Sequence, residues 1–131
     1  MATNIASITD ASRNYLSSLL DYMDTNNKMV DRIEKNDFEF QKLLIVLELA
    51  IEQVLLWLKE AEKLDMLLNL HAADISEEEW IQSDKANRRL FEMIIRLGKN
   101  VLLMCEQLQQ NGVVVEKHKE LVSLITELER N

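Results

Sequence analysis

Apolar residues recur along this chain in alternating steps of three and four, the spacing that returns a side chain to the same face of an α-helix. The densest stretch is Leu43–Leu58, LLIVLELAIEQVLLWL, where thirteen of sixteen residues are apolar and the exceptions are Glu48, Glu52 and Gln53. A helix this apolar needs neighbours on more than one side, so it is expected at the centre of a bundle.

The same periodicity divides the chain into four helices. The first covers about Thr3 to Glu34, with Ile5, Ile8, Ser12, Tyr15, Leu19, Tyr22, Asn26, Met29 and Ile33 on one face and Leu16, Met23 and Val30 widening it. Ser12 and Asn26 are polar members of this seam. Two readings are open: they lie at its edge, or Asn26 fixes register as a buried Asn does in a coiled coil. Two stretches are turn-like, Asp24-Thr25-Asn26-Asn27 and Glu34-Lys35-Asn36-Asp37; the second is the preferred end, with Asn36 as a cap and Glu39 reaching back to it. The second helix then runs from about Asp37 to Leu70. The alternative is one continuous helix from Ile5 to Leu68, because the phase does not break. Such a rod would span about 95 Å and need a partner along its whole length.

Ser76 caps the third helix, Glu77 to about Gln110. Glu79 completes a capping box, and Glu77 and Glu78 suit the positive end of the helix dipole. The seam of this helix runs from Trp80 through Asn87, Leu90, Ile94, Leu97, Val101 and Met104 to Leu108. Gly98 in its middle costs about 1 kcal/mol relative to Ala, which close approach of another helix would explain. Asn111-Gly112 is a stop signal. A shorter fourth helix is expected from Val113 to about Arg130, its β-branched start Val113-Val114-Val115 fraying or staying extended.

Composition agrees with this division. The 131 residues contain no proline and two glycines, too few for the turns of a β protein. The expected fold is all-α: an antiparallel up-down bundle of three long helices and a shorter C-terminal fourth, in one domain spanning 1–131.

The net charge of −8 and pI near 4.8 disfavour nucleic acid and anionic lipid as partners and favour a basic surface. The longest apolar run, Leu43 to Leu47, is five residues, whereas a membrane span needs about 20. The N-terminus shows no basic leader followed by an apolar run, and the single cysteine, Cys105, excludes an internal disulfide. A soluble, cytoplasmic protein is expected.

Candidate chemistry is sparse. His71 and His118 stand in LHAAD and KHKELV; neither matches the His-x-x-Lys-Gly pattern of histidine phosphotransfer bundles. His71, Asp74 and Glu78 straddle a turn without metal-ligand spacing. Glu48 and Glu52, four apart, would form a catalytic pair only if buried and coupled, but their line continues through Asp37, Gln41, Lys59, Glu62 and Lys63 as a solvated stripe. Cys105 lies on a core stripe with no base in view. No glycine-rich phosphate loop, nucleophile elbow or zinc-ligand set is present. Lys85, Arg88, Arg89, Arg96 and Lys99, interrupted by Glu92, line the outer face of the third helix, where they meet an anionic ligand or partner, lie solvated, or pair with a neighbouring acidic helix. No catalytic residue, metal or cofactor is expected.

The clearest functional clue is angular. On the second helix Leu43, Leu47, Ala50, Val54, Trp57, Ala61 and Leu68 share one broad sector. Phe38, Ile45, Leu49 and Leu56 form a second, narrow ridge about 100–180° away. Such a helix is wrapped by three neighbours, or it keeps the ridge for another chain. The ridge is the expected interaction site, and the expected function is non-enzymatic protein–protein interaction, as adaptor, assembly subunit or binding chaperone, with a protein partner or a second copy. In size, charge and class the chain is similar to small acidic helical chaperones of secreted or flagellar subunits and to acidic immunity proteins that block basic toxins. The rival expectation is a phosphate-handling bundle using His118 or the row Arg88, Arg89 and Arg96.

Overall fold

The computed structural model describes residues 5–35 and 38–130, with side chains from residue 8 onward. Among these residues the chain forms four α-helices, α1 (Ile5–Glu34), α2 (Phe40–Leu70), α3 (Glu77–Gln110) and α4 (His118–Arg130), with one turn of 3-10 helix at Ala72–Asp74 and no strand. The expected start at Thr3 and cap at Asn36 lie outside the described residues.

Most of these boundaries have local causes. The Ser76 hydroxyl accepts from the Glu79 N–H at 3.1 Å, satisfying one of the donors that a helix start leaves unpaired. Past Gln110, Gly112 takes φ +80°, open to glycine and strained for other residues. Two starts differ from expectation. Glu39 is the N-cap of α2, with extended backbone and no side-chain cap bond, so it does not serve as the third residue of a capping box. The fourth helix begins at His118 rather than Val113. The three valines stay outside it, and Val115 is buried in the core.

The continuous rod is excluded because α2 folds back on α1. Tyr15 Oη donates to Glu60 at 3.2 Å, and Tyr22 stacks edge-on against Trp57 with ring centroids 5.4 Å apart. Positions on α2 fall in number as those on α1 rise, so the two helices run in opposite senses. Thr9, Ser12 and Asn27 meet Ser83, Asn87 and Asn100 in rising order, so α1 and α3 run the same way.

The hub is α3, not α2. It carries the broadest contacts with α1 and α2 and receives α4 as well. Its buried Leu90, Ile94, Leu97, Val101, Met104 and Leu108 share one core with Leu47, Ile51 and Val54 of α2, Leu19 of α1 and Leu121 and Ile125 of α4. Gly98 lets α4 in: a methyl group there would lie 2.5 Å from Ile125 Cδ1 and 3.1 Å from its Cγ1.

A smaller cluster of Ile8, Leu64 and Leu68 closes the other end. Between the two lies a polar layer. Ser12 Oγ donates to Asn87 Oδ1 at 3.3 Å, Asn87 Nδ2 donates to the Ala61 carbonyl at 3.2 Å, and Thr9 and Ser83 hydroxyls meet at 2.6 Å. Asn87 thereby ties α1, α2 and α3 together. Asn26 is buried as well, not at the seam's edge, but its Nδ2 has no hydrogen-bond partner.

Candidate interaction surface

The residues expected to form the ridge separate into two groups. Ile45 and Leu49 are each 59% exposed and Leu56 51%. Phe38 is half-buried against the core and lies edge-on to Phe40, with centroids 5.1 Å apart. It precedes the first turn of α2, so the helical angle that aligned it with Ile45 does not apply. The face continues in the other direction instead, through Met66 (65% exposed) and Leu70 (70%). Phe38, Ile45, Leu49 and Leu56 are spaced by seven, four and seven residues, a pattern that does not lead on to these two. Strict steps of four and three from Ile45 reach both.

Those steps also pass through three exposed charged residues, Glu52, Lys59 and Lys63. At 100° per residue the whole row occupies a sector about 100° wide, opposite the buried side of α2. Helix α1 lies along one flank, placing Tyr22 beside Val46, Leu49, Gln53 and Leu56 in a shallow hollow. On the other flank Lys117, just before α4, donates to Glu52 Oε1 at 3.0 Å. A surface helix normally turns such a face to water with polar residues.

The basic row of α3 is partly neutralised within the chain. Arg88 Nε donates to Asp84 at 2.7 Å, and Lys99 pairs with Glu129 at 2.9 Å. Arg89 and Arg96 are exposed. Glu48 is half-exposed and Glu52 exposed, so the two are not a buried pair. His71 ends α2 and His118 begins α4, at separate places in the fold. Cys105 is fully buried, and burial pushes its thiol up to about 11, with Glu106 adding a smaller push.

Among the described residues no group of three or more His, Cys, Asp or Glu side chains is placed to hold a metal ion, and no helix is long and apolar enough to cross a membrane. Comparison with known protein families, curated proteins and solved structures finds no match to this chain.

Proposed function

We propose that this protein is a non-enzymatic protein–protein interaction module that docks through the outer face of α2. One observation carries the reading: Ile45, Leu49, Leu56, Met66 and Leu70 stand exposed in a row on a helix whose opposite side is fully packed. Burying the part of each side chain that is still exposed is worth about 1–2 kcal/mol, so several together would contribute to a contact. The charged residues within and beside the row would set which partner fits and in which direction.

The test is Ile45→Glu/Leu56→Glu. Both positions face solvent, so helicity and melting temperature are expected to stay within the wild-type range. Wild type is expected to self-associate or retain a specific protein in pull-down with mass spectrometry, and the variant to lose that contact. A wild type that is monomeric, with neither form retaining anything, defeats the reading.

A further inference from the structure

We propose that the partner on this face is α2 of a second copy of the chain, running antiparallel and mirrored about the point midway between Trp57 and Leu58. This rests on the reading above that the face is an interaction surface.

The row advances from Ile45 to Leu70 in unbroken steps of four and three, the repeat by which one helix packs along another. It extends about 38 Å at 1.5 Å per residue. Three of its members carry charge, and they decide what can lie against it. In a parallel, in-register pair every position meets its own copy. Glu52 would face Glu52, Lys59 would face Lys59 and Lys63 would face Lys63, each a like-charge contact. An antiparallel pair mirrored as stated separates Glu52 and Lys63 from their own copies and leaves only Lys59 near its copy, in the adjacent layer about 4.5 Å along the axis. Ile45 meets Leu70 of the second copy and Leu49 meets its Met66. Glu52 meets Lys63, and Leu56 lies along the aliphatic stem of Lys59. The two-fold axis repeats each contact, giving three apolar pairs or stems on each side of the axis and two oppositely charged pairs in all.

Sliding the mirror by one heptad spoils this. In one direction Ile45 and Leu49 face Lys63 and Lys59; in the other, Lys59 faces Lys63 and Glu52 faces Leu70. The flanks agree with the chosen register. On the α1 side Val46 comes opposite Leu67 and Gln53 opposite Glu60; on the other, Glu48 comes opposite Asn69 and Leu55 opposite Glu62. None is a like-charged pair. Lys117 uses Oε1 of Glu52, so the second carboxylate oxygen remains for the incoming lysine.

The experiment combines solution mass with directed cross-linking on the full chain. Wild type at micromolar concentration is expected to sediment at twice its 15.3 kDa chain mass, and Ile45→Glu/Leu56→Glu to sediment as monomer. Leu49→Cys mixed with Met66→Cys is expected to form a disulfide between the two variants. Leu49→Cys alone is expected not to, because its two copies would sit about 25 Å apart along the axis. Native Cys105 is buried and does not interfere. Glu52→Lys or Lys63→Glu alone is expected to weaken the dimer at least about 10-fold, and the combined swap to restore it.

Self-cross-linking of Leu49→Cys, or charge reversals that do not rescue each other, overturns the antiparallel register. A monomeric wild type that captures another protein through Ile45 and Leu56 overturns the homodimer and leaves the interaction reading standing. A monomeric wild type that captures nothing overturns both.

Discussion

Asn87 and Asn26 are the same residue type, both buried on interhelical seams, and opposite in consequence. Asn87 accepts from Ser12 and donates to the Ala61 carbonyl, so three helices share its amide. Asn26 Nδ2 is buried without a hydrogen-bond partner. An unmet buried donor costs about 1–3 kcal/mol, whereas a made bond contributes about 1 kcal/mol and leaves a stranded partner when broken. The same substitution therefore separates them. Asn87→Leu is expected to destabilise by about 2 kcal/mol, since it strands the Ser12 hydroxyl, while Asn26→Leu is expected to be neutral or stabilising. Urea unfolding followed by circular dichroism measures both; equal losses would mean that the hydrogen bonds of Asn87 do not matter. Both residues were visible on a helical seam in the sequence. Which of them finds a partner was not, because the partners of Asn87 lie 75 and 26 residues away.

Among the elements, α4 packs on α3 at a glycine. Gly98 weakens α3 by about 1 kcal/mol relative to Ala, and its lack of a side chain is what lets Ile125 and Leu121 approach. In Gly98→Ala the gain in helix propensity opposes a methyl group placed 2.5 Å from Ile125 Cδ1. The clash is expected to win, because Ile125 Cγ1 also lies 3.1 Å away, so turning the Cδ1 end aside does not by itself clear the methyl group. Gly98→Ala should therefore lower stability by about 1 kcal/mol and speed amide exchange in α4 before the other helices. Adding Ile125→Val removes the nearest methyl group, so the double variant should be more stable than the two single losses predict, with a coupling of about 1 kcal/mol. Strict additivity would rule out the close approach as the reason for the glycine. That reason was already suggested by a glycine inside a strongly periodic helix, though not which helix approached. The start of α4 was less legible. Three valines suit an extended segment as well as a helix, and Val115 settles the matter by packing into the core.

For the molecule as a whole, the buried groups of the bundle predict sensitivity to alkali. Cys105, at 0% exposure in the hub helix, keeps its proton up to about 11, while an ordinary thiol loses it near 9.0. Burial also raises Tyr15 and Tyr22 above 10.0, Tyr15 with the help of the Glu60 carboxylate. Between those limits the folded chain binds more protons than the unfolded chain, so stability is full below about pH 9 and falls as pH rises toward 11. Cys105 alone contributes a slope approaching about 1.4 kcal/mol per pH unit. Chemical denaturation at stepped pH should show this loss, and Cys105→Ala should flatten it, leaving the tyrosine part. An unchanged slope in that variant would show that the thiol is not shielded. At neutral pH the thiol should react with disulfide reagents only on unfolding.

The absence of proline, the scarcity of glycine and the three-four spacing were enough to specify an all-helical chain, the Ser76 start and the Asn111-Gly112 stop. Each of these depends on backbone preferences and neighbours within a few residues. The phase running unbroken from Ile5 to Leu68 could not say whether α1 and α2 were one rod or two helices folded together; contacts such as Tyr22 with Trp57 make them two. The ridge on α2 was legible at Ile45, Leu49 and Leu56, because their angle lies opposite the main seam. That Phe38 leaves it, that Met66 and Leu70 join it, and that α3 rather than α2 is the hub all follow from where the other helices arrive. A helix's own sequence states which faces are apolar, but covering a face takes a neighbour, and the packing of the whole chain places the neighbours.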